Sequence, residues 1–218
     1  MIQTPAIEIE NLMVKFDGKR LIKAFSLCLA PGEKVTLTGR SGSGKSTILR
    51  CLLGFVVPEA GTIHIAGERL TNETVWELRI RLAYVAQEPD LGTGRVQEII
   101  ERPFTYRANS HLRENLARIP EFFERFLLPV HLLGKEIATL SGGEKQRVGL
   151  IMAILLDRRI LLLDEVSSAL DKTAKLAVAE FFRSRKDMTV LSVSHSPKDF
   201  SFSDRVIELP YNYSKGKP

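Results

Sequence analysis

Gly39-Arg40-Ser41-Gly42-Ser43-Gly44-Lys45-Ser46-Thr47 is the stretch on which the reading of the chain turns. It follows the β-prone Lys34-Val35-Thr36-Leu37-Thr38 and precedes Ile48-Leu49-Arg50-Cys51-Leu52-Leu53, apolar at helical spacing and closed by Gly54. Strand, glycine-rich turn and helix, in that order, give a G-x-x-x-x-G-K-[ST] match the context of a phosphate-binding loop. Glycines let successive backbone N–H groups point inward, and the helix offers the positive end of its dipole to an anion. Lys45 is expected to reach the β- and γ-phosphates of a nucleotide, and the Ser46 hydroxyl to ligate Mg²⁺. The alternative, a glycine-rich turn that binds nothing, is disfavoured by the register of strand, lysine and serine.

The chain around this loop has 218 residues, which suits one large domain or one domain carrying an inserted subdomain. Apolar residues are 44% of it, enough for a substantial core. The excess of 31 basic over 26 acidic residues is mild and scattered rather than gathered into a stripe, so no nucleic-acid partner is expected. The two cysteines, Cys28 and Cys51, have no zinc-ligand or C-x-x-C spacing. Both sit among apolar residues and read as small core side chains in a reducing compartment. No signal peptide is expected from Met1-Ile2-Gln3-Thr4-Pro5. The longest apolar run, 150–156, is too short to cross a bilayer, so the protein is expected to be soluble unless a partner holds it at a membrane.

Upstream of the loop, residues 7–16 alternate apolar and polar and meet the turn Asp17-Gly18-Lys19, and 21–29 continue as a second strand. Spacing alone assigns Phe16, just before that turn, to the core, with stacking on adenine as the alternative. Downstream, Gly61-Thr62-Ile63-His64-Ile65-Ala66-Gly67 is a short strand with His64 facing outward, and 74–81 a short helix carrying Trp76. Leu82-Ala83-Tyr84-Val85-Ala86 is a buried strand that ends at Gln87-Glu88-Pro89, which makes Gln87 a loop candidate for function. Residues 96–134 change character. They are helical in pattern, punctuated by Pro103, Pro120 and Pro129, and read as an insertion whose aromatics form a small core of their own.

Leu140-Ser141-Gly142-Gly143-Glu144-Lys145-Gln146-Arg147 opens the next helix, with Ser141 as N-cap and Glu144 completing a capping box. Two glycines straight after an N-cap weaken a helix, which makes sense where something approaches the backbone closely. The pattern therefore offers a second anion-binding helix end, against a capped core helix with incidental glycines. Arg159-Ile160-Leu161-Leu162-Leu163-Asp164-Glu165 reads as a strand buried on both faces of a parallel sheet and ending in two carboxylates. Ligands gather at such strand ends, where Asp164 would hold Mg²⁺ and Glu165 could polarise an attacking water. Residues 168–171 form a turn, 172–185 an amphipathic helix, and 188–193 another buried strand with His195 two residues past its end, in reach of a γ-phosphate. A last strand spans 205–209.

Taken together, the phosphate loop, Gln87 at a strand end, the helical insertion, Leu140-Ser141-Gly142-Gly143-Glu144-Lys145-Gln146, Leu161-Leu162-Leu163-Asp164-Glu165, Ser168-Ala169-Leu170-Asp171 and His195 resemble the ATP-binding-cassette ATPases over essentially the whole chain. The Ser-Gly-Gly signature is specific to that superfamily, whereas the phosphate loop alone is not. The resemblance implies an α/β fold: a P-loop NTPase core with a mostly parallel sheet flanked by helices, an N-terminal antiparallel β region and an inserted α-helical subdomain. Within one cassette, 1–218, it implies a β region and phosphate-loop part over 1–87, a helical subdomain over 88–139, and the signature helix with the rest of the core over 140–218.

The same resemblance implies ATP and Mg²⁺ as cofactors and a role for each matching residue. Phe16 would stack on adenine, and Gly39, Ser41, Gly42, Ser43, Gly44, Lys45, Ser46 and Thr47 would hold the phosphates. Ser46, Gln87 and Asp164 would serve the metal, Gln87 sensing both γ-phosphate and Mg²⁺. Ser141, Gly142 and Gly143 would face a nucleotide held by another subunit. Glu165 would be the general base, Asp171 the aspartate coupling two sites, and His195 the switch histidine. Two departures stand out. Ser196-Pro197 follows His195 where an acidic residue is common, which suggests a stiffer switch loop, and Val166 stands where proline is frequent.

The compact single cassette is expected to be the ATPase subunit of a transporter. Its partners would be a second copy of itself, closed head to tail on ATP, and separately encoded membrane permeases. It would sit in the cytoplasm, peripheral on the inner face of the cell membrane. Phe122-Phe123-Glu124-Arg125-Phe126-Leu127-Leu128-Pro129, the continuation to the signature and the 165–171 segment are similar to small bacterial cassettes of the iron-export type. Amino-acid importers, lipoprotein or peptide exporters, a soluble non-transport ATPase and a binding module without turnover are the alternatives.

Overall fold

The computed structural model describes residues 4–16, 19–195 and 201–210. Two sheets organise the chain. A parallel sheet takes β3 (Lys34–Thr38), β6 (Leu82–Val85), β7 (Ile160–Asp164), β8 (Thr189–Val193) and β9 (Arg205–Glu208), in the order β6-β7-β8-β3-β9. An antiparallel sheet takes β1 (Ile7–Phe16), β2 (Lys19–Leu29), β4 (Ala60–Ile65) and the two-residue β5 (Glu68–Arg69), in the order β2-β1-β4-β5.

Every residue of β3, β7 and β8 is buried. That is what strands covered on both faces require, and it explains their near-continuous apolar sequence. Their side chains divide between the two faces. Leu161, Leu163 and Val190 join a cluster with Ala83 and Val85 on one side. Ile160, Leu162, Leu191, Val35 and Leu37 join a second cluster on the other. The second cluster is closed by α1 (Lys45–Leu52), through Ile48, Leu49 and Leu52, and by the inward residues Ile7, Ile9, Ile63 and Ile65 of the antiparallel sheet. One polar set lies between β3 and β8: Thr36 Oγ1 and Ser192 Oγ are 2.6 Å apart, and Thr36 also meets Ser203, so these buried hydroxyls satisfy one another.

After β4 and β5 come α2 (Val75–Arg79), on which Trp76 is exposed, and β6. The first cluster is covered by α5 (Gly142–Leu155) and α6 (Lys172–Ser184). From Val148 onward α5 is buried nearly all round, as a helix that is apolar on every face must be. The insertion supplies α3 (Val96–Glu101) and α4 (Ile119–Arg125), but between them the backbone is 3₁₀, over Arg102–Thr105 and Arg107–Arg118. The longer 3₁₀ run fully buries none of its residues, though the half-buried Leu112 and Leu116 pack against the first cluster. Polar side chains tie it down as well: Asn115 Nδ2 donates to the Leu155 carbonyl at 2.9 Å, and the Arg158 guanidinium to Asn109 Oδ1.

The aromatics of the insertion do not form a core of their own. Phe104, Phe122, Phe123 and Phe126 belong to the same cluster as Phe181 and Phe182 of α6. Phe181 packs edge-on against Phe122 at 5.9 Å and Phe126 at 5.3 Å between ring centroids, so one α6 side chain anchors the insertion to the sheet. Phe181→Ala is therefore expected to cost about 3–5 kcal/mol of unfolding free energy. Urea denaturation of the purified chain measures it; a change below about 1 kcal/mol would mean that the insertion does not rely on this contact.

The expected outward setting of His64 holds only in part: it is half-buried between Ile63 and Ile65, and its Nδ1 has no partner among the described residues. Cys51 is in the core, but Cys28 is exposed. On β2 it lies opposite Glu8 of β1, between the inward Leu27 and Leu29, so alternation turns it to the outer face of the antiparallel sheet. The turn at Asp17-Gly18 and the Ser196-Pro197 pair fall outside the described residues.

Candidate active site

The carboxyl ends of β3, β6, β7 and β8 come level at one edge of the parallel sheet, with Asp164 paired to Val193 and Leu37 paired to the same Val193. That edge is where an open α/β sheet leaves a crevice for ligands. The segment after β3 wraps into it as the phosphate loop. Gly44, the N-cap of α1, has φ 95°, a conformation open to glycine, and a Cβ there would stand 2.9 Å from Ile22 Cγ1. The α1 backbone can start at that point only because the side chain is missing.

Lys45, 4% exposed, donates from Nζ to the Gly39 carbonyl at 2.9 Å and to the Arg40 carbonyl at 3.2 Å. Burial pushes its pKa below the ordinary lysine value, and the carboxylates of Glu165 and Asp164 pull it back up. Ser46 Oγ donates to Asp164 Oδ1 at 2.7 Å, across the intervening strand β8. One hydroxyl and one carboxylate thus meet as a pair of hard oxygen donors. This fits Mg²⁺, which holds few protein ligands and keeps water and substrate phosphates for the rest of its octahedron. Among the described residues no group of three or more His, Cys, Asp or Glu is placed to hold a metal by itself.

Glu165 follows Asp164 with φ 48°, a left-handed setting uncommon for a residue other than glycine. Its N–H donates to the Val193 carbonyl at 3.1 Å, and its own carbonyl accepts from Ser168 N and Oγ at 3.0 and 2.8 Å. These bonds hold the strained turn, which aims the buried carboxylate along the sheet edge. There Glu165 Oε1 lies 2.8 Å from His195 Nε2. Val166, where proline is frequent, is fully buried in the first cluster.

A cavity of about 460 Å³ collects Phe16, Leu21, Ser41, Gly42, Gly44, Lys45, Ser46, Thr47, Gln87, Glu165 and His195, with Arg50 at its wall. Phe16 is 70% exposed and overturns its assignment to the core. Register shifts on β1 between Leu12, Val14 and Lys15 break the alternation before the strand reaches it. Gly39, Ser43 and Asp164 stand just behind the lining: Gly39 through its carbonyl, Asp164 through Ser46, and Ser43 as a buried hydroxyl with no partner among the described residues.

Ser141, Gly142, Gly143 and Asp171 are not among the lining residues of this cavity. Ser141 caps α5 as expected: its Oγ accepts from Glu144 N at 3.3 Å, and its N–H donates to the Glu144 carboxylate at 2.7 Å. The capping bonds also hold the Glu144 carboxyl below the usual range. Asp171 caps α6, accepting from Ala174 N at 2.8 Å. Gly143 meets a neighbour from its own chain, since a Cβ there would stand 2.6 Å from the Ala169 carbonyl oxygen.

Two groups at the edge escaped the sequence reading. Tyr84 donates to Asp164 Oδ2 at 3.2 Å, and burial, with Asp164 beside it, pushes the phenol up to about 12. Its signal was a hydroxyl-bearing ring inside an otherwise aliphatic strand. Arg50 follows Ser46 by one helical turn, and that spacing on α1 was the available clue.

The chain matches the family model described as "ABC transporter" over residues 22–168. It is 33% identical to the probable iron export ATP-binding protein FetA of Escherichia coli (strain K12) over 209 residues, 94% of this chain and 92% of that protein. It is 32% identical over 229 residues to the energy-coupling factor transporter ATP-binding protein EcfA1 of Bacillus subtilis (strain 168), covering 100% of this chain and 80% of that one. Among solved structures, a bacterial Atm1-family ABC exporter with ATP bound superposes with a TM-score of 0.82 at 26% identity. That match covers 97% of this chain and 38% of the exporter chain.

Proposed function

The chain belongs to the ABC transporter family and is an ATP-binding ATPase subunit of a transporter; from that premise we propose that it is the motor of a metal exporter, with iron as the cargo. Similarity to FetA along nearly the full length of both chains is the observation that carries the choice of iron export. The similarity to EcfA1 supports a second reading, the motor of an energy-coupling-factor importer.

In the proposed mechanism ATP lies in the Lys45 cavity with its base on Phe16 and its phosphates over residues 39–47. Ser46 and Asp164, with Gln87 at the cavity wall, would hold Mg²⁺, which when bound supplies neutralisation of phosphate charge. Glu165 takes the proton of the attacking water, and His195 holds the carboxylate in place from 2.8 Å. Ser141, Gly142 and Gly143 lie outside the chain's own cavity. This favours a head-to-tail pair in which each copy's signature closes the other's ATP site, with Asp171 at the turn between them. The helical region of 88–139, one of three segments in a single cassette, together with the Gln87 loop would pass the closure to a permease on the cytoplasmic face of the membrane. No helix among the described residues is long and apolar enough to cross a membrane.

A strain lacking the chain is expected to accumulate iron when grown in excess of it, and to recover when the chain is restored. Whole-cell metal analysis reads the result. Unchanged iron content together with defective uptake of another nutrient would favour the importer reading.

A further inference from the structure

The first two turns of α5 touch two loops at once. Gln146 is 1% exposed, and its Nε2 donates to the Ala86 carbonyl at 2.9 Å. Ala86 is the residue through which β6 passes into Gln87. One turn earlier on the helix, Gly143 packs so closely on the Ala169 carbonyl that no Cβ fits between them. Ala169 lies in the 165–171 segment that begins at Glu165. Gln146 also lines, with Gln87 and Ser168, a cavity of about 510 Å³ separate from the one over Lys45.

The chemistry of Gln146 is unusual for so buried a place. A helix position this deep ordinarily takes an apolar side chain, because each buried polar atom must find a partner. Here the amide nitrogen has one and Oε1 has none among the described residues. Methionine or leucine would fill the space without leaving an orphaned acceptor. What an apolar residue could not do is hold the Ala86 carbonyl.

We propose that Gln146 is a positioning residue: its amide fixes the backbone at Ala86 and thereby sets where Gln87 enters the ATP cavity. Gly143 fixes the 165–171 segment from one turn earlier on the same helix. The helix that caps itself with Ser141 thus holds, within one chain, both loops that flank the ATP cavity. The inference rests on the proposed role of Gln87 at that cavity.

The test uses the full chain carrying Gln146→Met, which conserves volume, with Gln146→Leu as a second variant, Gln87→Ala as reference and Gln146→Met/Gln87→Ala combined. ATP turnover, ATP binding and hydrogen exchange over 87–91 are measured. Gln146→Met is expected to lower kcat roughly tenfold, through misplacement of Gln87. ATP affinity should stay within about twofold, and exchange over 87–91 should quicken. The double variant should be no slower than Gln87→Ala alone, since both remove the same contribution. Losses that multiply, or a wild-type kcat in both Gln146 variants, overturn the proposal while leaving the Gln87 reading intact. A wild-type kcat for Gln87→Ala overturns that reading and the proposal with it.

Discussion

Glu165→Gln is expected to lower kcat by roughly 10²–10⁴-fold, the range for loss of a positioned base, while ATP affinity stays within about twofold. The split follows from where the residue sits. Glu165 lines the cavity but makes none of the described bonds to the phosphate loop; Lys45 is bound to Gly39 and Arg40, and Ser46 to Asp164. Glutamine keeps the volume and still offers His195 an acceptor, so the turn with φ 48° at this position need not move. What it lacks is the capacity to take a proton at the oxygen that faces the water. If two copies close over ATP and hydrolysis opens them, the variant should also accumulate as an ATP-bound dimer. Phosphate release and size-exclusion chromatography with ATP report the two effects separately. Turnover at the wild-type rate would remove Glu165 from the role of base. Lost turnover without a dimer would leave the base in place and count against closure between two copies.

Much of this edge was legible because it is local. The phosphate loop is nine consecutive residues with its strand and helix in register, and the β7 strand ends in its two carboxylates within one continuous stretch. The capping box at Ser141 and Glu144 is likewise a four-residue signal. Both sheets were readable from periodicity, the parallel one from unbroken apolar runs and the antiparallel one from alternation.

The misreadings share a cause, since each depends on which face an element turns or on what a distant segment brings. Phe16 was assigned to the core because the register shifts of β1 are invisible in its alternation. Cys28 looked buried because Leu27 and Leu29 flank it, yet one position along a strand reverses the face. The aromatics of 104–126 read as a separate core because their partners Phe181 and Phe182 come some sixty residues later. The close neighbour of the second signature glycine, Ala169 of the same chain, is likewise brought by a distant segment. Tyr84 and Gln146 act through single bonds to Asp164 and Ala86, and no pattern along the chain announces a bond across 80 or 60 residues.

Lys45→Ala is expected to act on binding itself, weakening ATP by roughly 10–100-fold, the worth of charged hydrogen bonds at about 1.5–3 kcal/mol. The buried ammonium is held by two backbone carbonyls of its own loop, so its charge is desolvated and only partly repaid. Burial pulls its pKa down for the same reason. A phosphate in the cavity replaces weak partners with a full anion, and the gain is large because little water competes there. Alanine forfeits that gain. Arginine would not restore it, because a planar guanidinium does not fit a site shaped for a compact ammonium that is 4% exposed. Equilibrium binding of ATP, measured with Mg²⁺ and again with a chelator, tests the point. The loss should persist without the metal, since in the proposed arrangement Lys45 would meet the phosphates directly while the bonded Ser46 and Asp164 would make the metal pair. An unchanged affinity in both conditions would mean that the nine residues from Gly39 to Thr47 hold phosphate by backbone alone, and that Lys45 belongs to the architecture of the loop.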